Sequence, residues 1–157
     1  MDKMEIGNMT TTISQIMSKR VETIGALDSV QETAKKMKDQ NVSSMVVVDK
    51  TGEPQGLITE RDLVRKVCIN DLPTSMMKNV DIMSSPLITI NSNSSPSIAA
   101  DVMLKNNVRH LLVVDNDTKS NPKKPVGIIT PLDFTRYEEY TNDEERDNIE
   151  KILEYYI

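Results

Sequence analysis

Residues 56–62 read GLITERD and residues 127–133 read GIITPLD, one phrase written twice. Each copy passes from apolar residues to Thr and, three positions later, to Asp, the pattern of a strand running into the first turn of a helix. Upstream the correspondence continues at an offset of 66 residues. Val46, Val47, Val48 and Asp49 fall on Leu112, Val113, Val114 and Asp115; Asn41 and Val42 fall on Asn107 and Val108; Met37 falls on Met103 and Ala34 on Ala100. Further back, Thr23 and Ile24 meet Thr89 and Ile90, and Ile16, Met17 and Ser18 meet Ile82, Met83 and Ser84. The offset grows by five residues within 116–125, a run of Asn, Asp, Lys, Ser and Pro that reads as a surface hairpin loop. One unit is present twice.

The grammar of each unit is β-α-β-β-α. A short extended piece (21–24 and 87–90) precedes a helix start: Ser29 and Glu32 have capping-box spacing, and Ser95 is followed by Pro96, a residue suited to the first helical position. Val30, Ala34 and Met37 in one helix, and Ala99, Val102 and Met103 in the other, recur at helical spacing and predict one buried stripe each. Residues 45–48 and 111–114 are continuous apolar runs rich in β-branched residues and closed by Asp, as expected of strands buried on both faces. Third strands follow at 56–59 and 126–130 and lead into helices at 60–68 and 131–137. A unit of about 60 residues buries only about 60 % of the surface its unfolded chain exposes. Two copies packed sheet to sheet are therefore expected.

The 157 residues are 38 % hydrophobic and 27 % charged, with five Gly and seven Pro, so the chain can build a core and is not of low complexity. With no Trp, Phe134 as the single Phe and ten Met, the interior should be aliphatic, which argues against base stacking on an aromatic sheet. A net charge of −5 argues against nucleic acid, whose binding draws on Lys and Arg clusters that release counterions. Cys68 is the only cysteine, so neither an internal disulfide nor a thiolate metal cage can form, which suits a reducing, cytoplasmic setting. Its helical spacing from Val64 predicts a packed thiol. No apolar run approaches the ~20 residues of a membrane span, and residues 1–12 contain no signal-peptide core.

The repeated starts at Ile16 and Ile82, the VVVD and LVVD strands at Val46 and Leu112, and the endings at Gly56 and Gly127 resemble the CBS domain family, and their tandem occurrence resembles a Bateman module. The resemblance covers about 12–137. It implies an α/β (α+β) fold of two tandem repeats packed sheet to sheet; counting the C-terminal run as a helix, the chain divides into an N-terminal segment 1–11, repeat 1 at 12–70, a linker 71–79, repeat 2 at 80–140 and a C-terminal helix 141–157. It further implies a regulatory module whose two related clefts, between the repeats, take AMP, ADP or ATP. In some relatives the ligand is S-adenosylmethionine, and in some there is none. A homodimer of four repeats acting on a separate regulated protein is the expected assembly.

In the family the strand-to-helix junction carries Thr or Ser with Asp three positions on, matched here by Thr59 with Asp62 and Thr130 with Asp133. A helix N-terminus offers unpaired N–H groups to a phosphate, and a carboxylate in the first turn can accept both hydroxyls of a ribose. The same spacing also suits simple helix capping. The copies differ in charge: Arg61 stands where the second has Leu132, and Arg109 and His110 stand where the first has Ser43 and Ser44. Arg suits bidentate phosphate contact, and His110, the only His, would make binding pH-dependent near its unperturbed value of about 6.5, although a lone His is more often a packing residue. The family builds its adenine slot from the first short strand, here Thr23 and Ile24 with Thr89 and Ile90, positions that also suit plain core.

Thr141 and Glu144 have capping-box spacing ahead of Ile149, Ile152, Leu153 and Tyr156, which predicts an amphipathic C-terminal helix, either a lid on its own repeat or dimer mate or a docking element. An enzyme needs a nucleophile with its base, paired acids or metal ligands. One His and one Cys offer little of this, so a non-catalytic protein with no required cofactor and no metal is expected. The competing reading is an interaction scaffold with degenerate clefts.

Overall fold

A computed structural model of the chain describes residues 11–115, 124–136 and 143–156. In chain order the elements are α1 (Ile13–Ile16), β1 (Thr23–Gly25), α2 (Val30–Gln40), β2 (Ser44–Val48), β3 (Pro54–Thr59), α3 (Glu60–Asp62), α4 (Asn79–Ile82), β4 (Thr89–Asn91), α5 (Pro96–Asn106), β5 (Leu111–Asp115), β6 (Lys124–Ile129) and α6 (Asp143–Tyr156). A π-helical stretch, Leu63–Val67, continues α3, and 3-10 turns occupy Thr74–Met76 and Pro131–Arg136. The loop residues 116–123, Tyr137 and Thr141 lie outside the described residues, and the hairpin-loop and Thr141-cap expectations fall there.

Two compact units result, one spanning Arg20–Thr89 and the other joining residues up to Lys19 with those from Ile90 onward. The Arg20–Thr89 unit holds a sheet of order β1-β2-β3, with β1 parallel and β3 antiparallel to β2. The other holds the order β4-β5-β6, with β5 and β6 antiparallel. Met45, Val46 and Val47 are all fully buried, as are Leu111 and Val113, so the central strands are covered on both faces. Val30 of α2, Val47, Ile58, Val67, Met77 and Ile82 form one core cluster against which Ile24 packs.

Ser29 accepts a hydrogen bond from Glu32 N–H and the Glu32 carboxylate reaches back to Ser29 N–H at 2.9 Å, the reciprocal cap that starts α2. Ser95 caps α5 with Pro96 at its first position, and both helices end on an Asn in the left-handed region, Asn41 and Asn107. The α2 stripe differs from expectation. Its buried members are Val30, Thr33 and Met37, while Ala34 is exposed. Thr33 turns inward because its hydroxyl donates to Asn79 Oδ1 at 2.7 Å, and Asn79 in turn donates to Gly25 O at 2.9 Å. In α5 the buried residues are Pro96, Ser97, Ala99, Ala100 and Met103, with Val102 half-buried.

The short leading segments complete the sheets by matching hydrogen bonds. In one unit Asn79 N–H and Val80 N–H donate to Asp28 O and Ala26 O, and Ser84 exchanges both backbone bonds with Leu57. In the other, Ile13 N–H and Ser14 N–H donate to Ser94 O and Ser92 O, and Ser18 exchanges both with Ile128. The approach is tight enough to require glycine. A Cβ on Gly56 would stand 2.7 Å from Met83 Sδ and 2.9 Å from Ser84 O; on Gly127 it would stand 2.5 Å from Met17 Sδ and 2.7 Å from Ser18 O.

The thiol expectation is corrected: Cys68 is exposed and Val64 is 62 % exposed. This segment buries Val67 and half-buries Leu63 instead, and its wider π turn, closed by Cys68 N–H to Leu63 O at 3.1 Å, breaks the four-residue spacing assumed for Val64 and Cys68. The C-terminal helix α6 packs on α5 and on Pro131–Arg136 of its own unit, with Ile149 and Ile152 fully buried.

Candidate functional site

Each unit places its Thr at the last residue of a strand and its Asp in the helical turn that follows. Thr59 is extended (φ −117°, ψ 164°) and is the N-cap of α3: its Oγ1 accepts from Asp62 N–H at 3.2 Å, and Asp62 Oδ2 accepts from Thr59 N–H at 3.0 Å and Thr59 Oγ1 at 3.1 Å. The second copy repeats this, with Asp133 Oδ2 accepting from Thr130 N–H at 2.8 Å and Thr130 Oγ1 at 3.4 Å. Both carboxylates are nearly covered, at 7 % exposure for Asp62 and 6 % for Asp133. One oxygen of each therefore serves the helix cap, and what the other oxygen meets sets the two junctions apart.

Asp62 Oδ1 accepts from Ser84 Oγ and pairs with Lys66 Nζ, both at 3.0 Å, while the same ammonium donates to Ile82 O at 3.0 Å. A ligand hydroxyl reaching this oxygen has to displace Ser84 or Lys66. Asp133 Oδ1 instead lies 3.7 Å from the largely exposed guanidinium of Arg136. Burial pushes the Asp133 carboxyl above its ordinary value, against the opposing pull of the Thr130 N–H, Arg136 and the Thr130 hydroxyl. This oxygen accepts no hydrogen bond among the described residues, whereas Asp62 Oδ1 accepts one from Ser84.

The remaining predicted residues fall in three places. Arg61 is half-buried beside Asp62 and makes no hydrogen bond or ion pair among the described residues. Arg109 and His110 are half-buried and lie just before β5; because Leu111 is level with Ile129 in the ladder, one further step sets His110 level with Thr130, as Ser44 is level with Thr59 in the other unit. Arg109 lies over the Tyr156 ring, 5.7 Å from its centroid. Thr23 and Thr89 are exposed, Ile24 packs on its core cluster and Ile90 is buried at 7 % exposure. Ser84, Lys66 and Tyr156 were not singled out from sequence as site residues; Ser84 stood out only as a repeat match and Tyr156 only in the apolar stripe of α6. The i,i+4 spacing of Asp62 and Lys66 was the available signal for one pair, and the repeated Ser18 and Ser84 for another.

Among the described residues no group of His, Cys, Asp and Glu could hold a metal ion, and no helix is long and apolar enough to cross a membrane. The sequence pattern of the CBS domain matches residues 13–68 and 80–140. A protein of Methanopyrus kandleri is 31 % identical over 131 residues, covering 83 % of this chain and 64 % of that protein, so the chain spans just under two thirds of that relative. YlbB of Bacillus subtilis is 33 % identical over 134 residues, 85 % of each chain. A CBS domain pair solved in complex with 5′-methylthioadenosine and S-adenosyl-L-methionine superposes with a TM-score of 0.69 at 28 % identity, covering 81 % of this chain and 98 % of that one. The chain belongs to the CBS domain family and contains a tandem pair of these domains, a regulatory module.

Proposed function

We propose that this module senses adenine nucleotides, AMP, ADP or ATP, at its two Thr-x-x-Asp junctions and passes occupancy on by a change in conformation. The observation that carries the reading is Arg61, a half-buried cation with no hydrogen-bonding or ionic partner among the described residues, standing directly before a nearly covered carboxylate in the first turn of a helix. A cation in that position suits a phosphate, and the second oxygen of Asp133, which accepts no hydrogen bond among the described residues, suits a ribose hydroxyl. S-adenosylmethionine is a second reading, favoured by the bound ligands of the solved relative. The exposed apolar side chains Val64, Ile69, Leu72 and Met76 support self-association as a homodimer; its target would be a separate regulated protein.

The test is a thermal-unfolding titration of the full chain. A ligand that binds only the folded state stabilises it by about 2.7 kcal/mol at 100 times its dissociation constant. The double substitution Asp62→Ala with Asp133→Ala should abolish the ligand-induced shift, whatever it does to the baseline melting temperature. A shift with S-adenosylmethionine and none with the nucleotides selects the second reading. Silence across all four compounds rejects both.

A further inference from the structure

We propose that Arg109 is a clasp on the end of α6, shared between the Tyr156 ring and the phosphate of a ligand at the 130–133 junction, so that filling this one junction frees the last turn of the C-terminal helix. The inference rests on the adenine-nucleotide reading of that junction and adds how its occupancy leaves the site.

The middle of α6 is held firmly, through fully buried Ile149 and Ile152 and through Asn148, which donates to Ser97 Oγ at 3.1 Å. Its end is held differently. Tyr156 is half-buried, lies under the Arg109 guanidinium and directs its hydroxyl to Asn107 Oδ1 at 3.4 Å, so one ring bridges the helix end to the 107–109 segment that leads into β5. That segment emerges beside Thr130, and α6 also packs on Pro131–Arg136, the turn that carries Asp133. A guanidinium within reach of both an aromatic face and a phosphate favours the phosphate, because the charge-assisted, bidentate bond is stronger than a partly exposed cation–π contact. The other unit lacks these parts. Ser43 occupies the position of Arg109, and between the junction helix and α4 the chain forms only the short turn Thr74–Met76.

The experiment uses the full chain with AMP and ATP as probes, calorimetry for affinity and hydrogen exchange for α6. Tyr156→Leu should tighten nucleotide binding about two- to fivefold, the size of one such contact. Tyr156→Phe should bind like wild type, and the gain should vanish in an Arg109→Ala background. Independently of any ligand, Arg109→Ala should speed exchange at residues 153–156 and leave 147–150 protected, and saturating nucleotide should do the same in the wild type. If nucleotide binds but Tyr156→Leu leaves affinity unchanged or weakens it, the clasp is wrong and the binding reading stands. Unchanged exchange in Arg109→Ala also refutes the clasp. Failure of both nucleotides to bind overturns the nucleotide reading of the junction and this proposal together.

Discussion

Burial holds Asp133 above the ordinary carboxylate range, so the folded chain takes up this proton more readily than the unfolded chain does. The stability linked to that proton is fully present below the unfolded value and is lost as pH rises through the folded one. Asp133→Asn keeps an oxygen for the Thr130 N–H and removes the buried charge. It should melt higher than wild type at neutral pH, with the gap closing as pH falls through the folded value; a lower melting temperature at neutral pH contradicts this. The Thr-to-Asp spacing was legible from seven residues of sequence because a helix cap is local. The second oxygen was not: Ser84 lies 22 positions from Asp62, and only the folded backbone brings it within 3.0 Å.

At the scale of elements, strands and helices followed from periodicity, because the apolar runs and caps act over a few residues. Two details did not. Thr33 rather than Ala34 faces inward because a partner hydroxyl acceptor, Asn79, sits in a different helix, and the π turn after Asp62 turns Cys68 outward. The leading segments were readable as repeated text but not as edges laid on β3 and β6. Their closeness makes a sharp prediction: Gly56→Ala and Gly127→Ala should each cost about 1–3 kcal/mol in denaturant unfolding, as overpacking does. Adding Met83→Ala to Gly56→Ala should restore only part of the loss, since the remaining obstacle, Ser84 O, is backbone. Wild-type stability in either single variant would mean that these segments are not held against the strands.

For the whole molecule, the repeats seen in the sequence and the compact units are cut at different places. Residues 20–89 keep every hydrogen bond described for their unit, whereas 12–70 contain β1 to β3 but lose Met77, Ile82 and the bridge from Ser84 to Leu57. A 20–89 fragment should show a cooperative melt by circular dichroism and a 12–70 fragment should not; the reverse ranking would refute the unit boundaries. The repeat could be read because copying preserves residue types, but the exchange of leading segments leaves residue types unchanged and alters only which strand edge they meet.

That exchange also orders the biosynthesis of the chain. Residues 13–18 leave the ribosome well before their partners Ser92, Ser94 and Ile128, while everything that residues 20–89 require is complete once Thr89 has emerged. Residues 20–89 can settle while synthesis is still under way, and residues 13–18 must wait, unmatched, until β6 has been translated.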